Sequence, residues 1–282
     1  MLFGKKKCPQ CGSEIDKGEY TCPACRHSFE GTMHQNAMTW IAWPRQLGVF
    51  LIGSSGLTIA ALILTLIFRL FSWESETIES LWINFGAYLL VLGGGASLLY
   101  CYWKGLLKSF KRWLPYLLGL AGFVAIIFFN IVYNAIVNLI RPIESNANEE
   151  LVDSYILMAP VVSFFIIVLM GPIAEELTYR VGLFSLLSRI HVAVGYVLTG
   201  LIFAFIHFDW SLFVNFLIRE IDYAQFLSNL VNELLNIPLY IFAGLTFCFL
   251  YHKWGLAASL TAHITNNLFS YIFILLGSVI HG

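Results

Sequence analysis

"VVSFFIIVLMGPIAEELTYRVGLF", residues 161–184, is an apolar run interrupted by two adjacent glutamates and one arginine. It is longer than the roughly 20 residues that a spanning helix needs. Ionised side chains cost on the order of 2.5–3.5 kcal/mol each at the centre of such a helix, so they call for partners or a function. In a helix Glu176 and Arg180 stand four apart with the acid first, the better order for an ion pair. Glu175 is turned about 100° away from Glu176. One structural carboxylate and one available carboxylate are therefore expected.

The rest of the chain reads as belonging to the same solvent. Of 282 residues, 59% are hydrophobic and 12% charged, half of the roughly 25% typical of soluble domains. Apolar stretches at 47–71, 82–103, 114–140, 154–188, 191–208, 237–251 and 255–280 predict seven spans, or eight if 211–235 adds another. No alternating strand pattern occurs, so the expected fold is all-α: a polytopic transmembrane helix bundle with a small amino-terminal module. Loop charges give the orientation. "KGLLKSFKR" (104–112) has four cations and no acid, whereas 72–80 and 141–153 are acidic, and the chain starts with Lys5, Lys6 and Lys7. Positive charge on the inside predicts a cytoplasmic amino terminus. The first 46 residues lack the apolar core of a signal peptide, which leaves the first span as the expected membrane-targeting signal.

Before the spans comes "CPQCGSEIDKGEYTCPAC", two C-x-x-C knuckles made of Cys8, Cys11, Cys22 and Cys25. Four thiolates on two tight turns match the tetrahedral preference of Zn²⁺, and a full cysteine set leaves no open position for water, so a structural zinc is expected. The module is too small to fold on an apolar core, which makes metal binding its source of stability. Two disulfides are the alternative, disfavoured where thiols stay reduced. The module resembles the short zinc ribbon at the amino end of many prokaryotic proteins; with the apolar spans, the expected location is a prokaryotic cell membrane, as an integral protein. Boundaries are expected at 1–30 for the ribbon, 31–46 for a linker and 47–282 for the membrane domain. Cys101 and Cys248 lie in spans and are read as small apolar residues.

Two further polar sites fall inside spans. "LIFAFIHF" (201–208) places His207 in an apolar helix, and "SLTAHITNNLF" (259–269) places His263 and Asn267 four apart on one face, with Asn266 beside them. At 1.5 Å per residue from turns near 189 and 254, Glu175, His207 and His263 lie at depths of roughly 20, 25 and 13 Å. One shared cavity is feasible. A carboxylate, two imidazoles and a carboxamide form a water-activating set.

"EELTYR", "FAFIH" and "HITNN" fit E-E-x-x-x-R, F-x-x-x-H and H-x-x-x-N in order. On these motifs the chain resembles the CAAX-protease and bacteriocin-processing (CPBP, or Abi) family of intramembrane peptidases over about 154–277. The resemblance implies hydrolysis of a peptide bond in a membrane-associated, prenylated or leader-type peptide. Glu175 and His207 would activate water, His263 and Asn267 would stabilise the oxyanion, and Glu176 and Arg180 would support the site. A metal-dependent version would use the same glutamates and histidines as Zn²⁺ ligands; the soluble signature H-E-x-x-H is lacking, and the metal-independent version is slightly preferred. A catalytically silent immunity or scaffold protein is the main alternative. A transporter ranks last, since no inverted repeat is seen.

The remaining motifs read as structural. Asn130, Asn134 and Asn138 form a stripe every four residues, expected to pack against other helices, and Asn266 is expected to bridge helices. Gly93, Gly94 and Gly95 mark a close helix contact or a kink. Residues 209–236 mix apolar and charged positions and are read as an amphipathic or re-entrant segment near the outer face. The expected partners are a peptide or protein substrate, the bilayer, and a cytoplasmic partner or second copy at the ribbon; no nucleic acid is expected.

Overall fold

The computed structural model describes residues 5–16, 22–25, 41–71, 75–142 and 146–281. Most of the expected 31–46 linker, and parts of the ribbon and of the loops 72–80 and 141–153, lie outside the described residues.

A two-stranded antiparallel hairpin, β1 (Lys5–Lys7) and β2 (Glu14–Asp16), pairs Lys6 with Ile15. Between the strands the chain folds tightly: Gly12 N donates to Cys8 O at 2.8 Å and Cys8 N to Ser13 O at 2.9 Å. Gly12 takes φ +71°, the left-handed conformation that a residue without Cβ adopts at no steric cost.

All remaining regular structure described is helical. α1 (Trp43–Gly53) and α2 (Ser55–Phe68) run on as one apolar span. It starts four residues earlier than the apolar run at 47, because Pro44 occupies the first turn, where its missing N–H is no loss. α3 (Glu76–Leu98) is capped by Ser75, whose hydroxyl accepts from Ile78 N at 3.1 Å. α4 is Leu114–Val137. α5 (Ala147–Met158) is capped by Asn146, and Pro160 then opens α6, the span Pro160–Leu187. α7 (Val192–Phe205) and α8 (Ser211–Leu217) are shorter. α9 (Tyr223–Trp254) begins with a reciprocal Asp222–Gln225 capping box, and Gly255 at φ +86° separates it from α10 (Leu256–His281).

Six helices are long and apolar enough to cross a membrane, and the shorter apolar α7 is the seventh segment expected from the sequence. The chain is an integral membrane helix bundle. Residues 211–235 add no eighth span. The re-entrant reading of 209–236 is corrected as well: after the short α8, residues 223–236 run unbroken into α9, through Pro238. At 32 residues α9 is about 48 Å long, more than the roughly 30 Å hydrocarbon core, so one end projects beyond it.

α6 is the central element. Of its most apolar stretch 56% is buried, against at most 33% in any other long helix. Residues 176–185 are buried at every position, the pattern of a helix enclosed on all sides. α1 packs against this half of α6, α10 lies along α4, and α7 lies along α9. The α4–α10 contact is close at Gly119, where a Cβ would stand 2.6 Å from Ala258 O and 2.7 Å from Thr261 Cβ.

Candidate active site within the bundle

Glu175 and Glu176 sit where α6 leaves α geometry. Residues Phe164–Met170 and Glu176–Phe184 form wider π turns on either side of a short α segment, Gly171–Glu175. Such turns are rare and concentrate at functional sites.

The i,i+4 pair expected from the sequence is present: Arg180 Nε lies 3.4 Å from Glu176 Oε2, and both side chains are fully buried. No hydrogen bond satisfies the guanidinium N–H groups. Aromatic faces stand in their place, with the Arg180 guanidinium carbon 4.4 Å from the Phe203 ring centre and 5.1 Å from that of Phe247. Attraction to the ring quadrupoles holds the cation in a dry setting.

His263 joins the two glutamates. Its Nδ1 lies 3.0 Å from Glu176 Oε1 and its Nε2 3.7 Å from Glu175 Oε2. The second distance is too long for a direct hydrogen bond. Phe247 stacks on the imidazole at 4.4 Å and fixes its plane. Glu176 is therefore held from both sides, whereas Glu175 keeps 21% side-chain exposure and meets His263 only beyond hydrogen-bond distance. The distinction between a held and an available carboxylate follows the sequence expectation.

His207 follows the last turn of α7, with Nδ1 2.7 Å from Phe203 O. A carbonyl only accepts, so the proton of the neutral ring is on Nδ1 and the Nε2 lone pair is free. Asn267 donates through Nδ2 to Ile167 O at 3.0 Å, which leaves its second N–H unused in that contact. Asn266 Nδ2 reaches Asn267 Oδ1 at 3.5 Å.

A cavity of about 630 Å³ brings these groups together: Glu175, His207, His263 and Asn267 all line it, while Glu176 and Arg180 stand behind it. Three lining residues were not singled out as functional from the sequence. Tyr240 stacks on His207 at 4.4 Å and 14°, and its hydroxyl accepts from Asn146 Nδ2 at 3.2 Å and Asn148 Nδ2 at 3.4 Å. Tyr88 lines the wall beside Gly171. Asn130, read as part of a packing stripe, lines the cavity instead, with its Oδ1 buried and unpartnered. The signal for Tyr240 was a phenol inside the apolar run "IPLYIFAG", which carries no motif. Glu233 fastens the neighbouring loops, accepting from Asp209 N at 3.2 Å and Ala147 N at 3.4 Å.

Among the described residues, one set of three or more metal-ligating side chains converges: Cys8, Cys11, Cys22 and Cys25, whose sulfurs lie within 4.8 Å of one another. Cys8–Cys25 and Cys11–Cys22 are 3.6 and 3.5 Å apart, with no disulfide formed. Hydrogen bonds from the Ser13 side chain and backbone lower the Cys11 thiol to about 6, towards the thiolate form that binds metals. These four residues can hold a metal ion. Among the described residues the glutamates and histidines of the bundle form no second set of this kind.

The architecture and its cavity define a polytopic membrane protein with ionisable groups assembled inside the bundle. Residues 157–269, the segment carrying all six of the motif side chains, match the family described as Type II CAAX prenyl endopeptidase Rce1-like. This segment is similar to that family, in agreement with the CAAX-protease resemblance of its motifs. No curated protein and no solved structure matches the chain.

Proposed function

We propose that the chain is an intramembrane endopeptidase of the CAAX-protease type, with Glu175 as the base. The observation that carries this reading is the convergence of Glu175, His207, His263 and Asn267 on one cavity within the Rce1-like segment. A water in this cavity donates one hydrogen bond to Glu175 and another to His207 Nε2. Glu175 takes its proton as the oxygen attacks the scissile carbonyl carbon. The tetrahedral oxyanion receives the free N–H of Asn267. A carboxylate only accepts, so His263 Nδ1 carries a proton in its contact with Glu176. When the C–N bond breaks, Glu175 passes its proton to the leaving amine, and a carboxylic acid and an amine result. Glu176 and Arg180 hold His263 in place.

The substrate class in this reading is a membrane-associated peptide, prenylated or leader-type. Purified wild-type, Glu175→Gln and His207→Ala proteins, reconstituted in liposomes and assayed against a peptide library including prenylated C-terminal sequences, test it. Loss of cleavage in both variants is expected, and undiminished turnover in both overturns the mechanism.

For the hairpin module we propose a structural Zn²⁺. A tetrahedron with 2.3 Å Zn–S bonds has edges of about 3.8 Å, near the sulfur separations of 3.5 and 3.6 Å. Among the described residues the hydrophobic cluster here is Cys8, Ile15 and Cys22, with Cys25 against it, too few to fold alone. The module occupies residues 1–30, faces the cytoplasm with the 104–112 loop, and serves docking or self-association rather than chemistry. Elemental analysis of the purified chain should return one zinc per protein, lost on changing Cys8 and Cys11 to Ser.

A further inference from the structure

A second cavity of about 630 Å³ shares no lining residue with the first. It is a groove between α4, α7 and α9, walled by Leu118, Ala121 and Ala125 on α4, by Tyr196, and by Phe249 and Trp254 on α9. Its walls are almost wholly apolar, so it suits a hydrocarbon chain. At one end it meets a row of cations.

Residues 100–112 join α3 to α4 along one helical path of α and 3₁₀ turns. Tyr102, Trp103 and Phe110 turn one side of this path onto the protein core. Lys104, Lys108, Lys111 and Arg112 are all exposed, and none forms an ion pair among the described residues. The sequence has no acid between Glu79 and Glu144 to balance them. Arg112 stands six residues before groove-lining Leu118. Lys253, exposed and likewise without an ion pair, directly precedes groove-lining Trp254. The two groups of cations are brought to the same end because the turn after Trp254 packs on Ser109, whose hydroxyl accepts from Ala257 N at 3.2 Å.

We propose that groove and cations together bind one anionic phospholipid, its acyl chain along Ala121 and Ala125 and its phosphate on Lys108, Arg112 and Lys253. A neutral isoprenoid would fill the groove but leave the cations without counter-charge. Tyr196 and Trp254 at the mouth sit where aromatic residues meet lipid headgroups. Cations placed only to orient the chain would discriminate between leaflets, not between individual lipids, and would make no use of the groove.

The test uses the full chain in nanodiscs of phosphatidylglycerol or phosphatidylcholine, with retained lipid counted by native mass spectrometry and unfolding followed thermally. Retention of phosphatidylglycerol about tenfold above phosphatidylcholine is expected, with a higher unfolding midpoint. The combined Lys108→Gln, Arg112→Gln and Lys253→Gln protein should lose that preference, and Ala125→Trp should lower retention of both lipids. Equal retention by the wild type, or an unchanged preference in the charge variant, overturns the proposal. Displacement of phosphatidylglycerol by a farnesylated peptide from the Glu175→Gln protein also overturns it and assigns the groove to substrate. None of these readouts needs peptidase activity, so this site and the peptidase reading fail separately.

Discussion

In the amino-terminal hairpin four sulfurs gather within 4.8 Å of one another, and Ile15 is the one other buried residue among those described there. In the bundle two carboxylates, an imidazole and a guanidinium gather next to ten consecutive buried residues of α6. Among its described residues the hairpin has donors with little packing, so in the reading proposed above an ion fixes its shape. The bundle has packing that fixes its donors: Phe203 and Phe247 flank Arg180, and Phe247 stacks on His263. A small polar module therefore depends on what it binds, whereas the buried cluster depends on Glu176 and Arg180 compensating each other.

Glu175→Gln should affect chemistry and spare the fold, lowering turnover by up to about ten-thousandfold in a liposome cleavage assay with an unchanged unfolding midpoint. Equal loss of stability would blur the line between held and available carboxylates. Arg180→Met should do the reverse and cost about 3–5 kcal/mol in denaturant titration, because it strands the charge of Glu176. Adding Glu176→Gln should restore part of that loss.

Tyr240→Leu removes the ring stacked on His207 and should lower kcat up to about a hundredfold, leaving KM near the wild-type value. Tyr240→Phe keeps the stack and should lose far less. Gly119→Ala forces α4 off Ala258 and Thr261 and should cost about 1–3 kcal/mol. At the far end of the scale, chelation should strip the hairpin metal while peptide cleavage and the thermal transition of the bundle stay unchanged. A parallel fall in both would join the two regions that the comparison keeps apart.

Much of this was legible in the sequence, for a physical reason. Bilayer length and apolarity are one-dimensional properties, so seven apolar segments could be read directly, and so could the fixed spacing of the cysteines and of Glu176 with Arg180. The unread parts depend on contacts between distant segments. Glu233 is one of the charged positions of 209–236, yet it accepts from the backbones of Ala147 and Asp209, and α9 runs through it. Asn130 shares its four-residue spacing with Asn134 and Asn138, and only the position of α10 decides that it faces a cavity. His263 was legible as polar in a span, but its place between both glutamates was not.

That last contact bears on how the chain is made. The Glu176 carboxylate and the His263 imidazole that meets it are 87 residues apart, and ribosomes add about 5–20 residues per second. For about 4–17 s of synthesis α6 has left the ribosome without its final partner. During that interval Arg180, four residues on in the same helix, is the partner that Glu176 has, and an insertion chaperone or the translocon is expected to shelter the rest of the polar cluster. Chains halted before α10 should accordingly be extracted and degraded instead of accumulating.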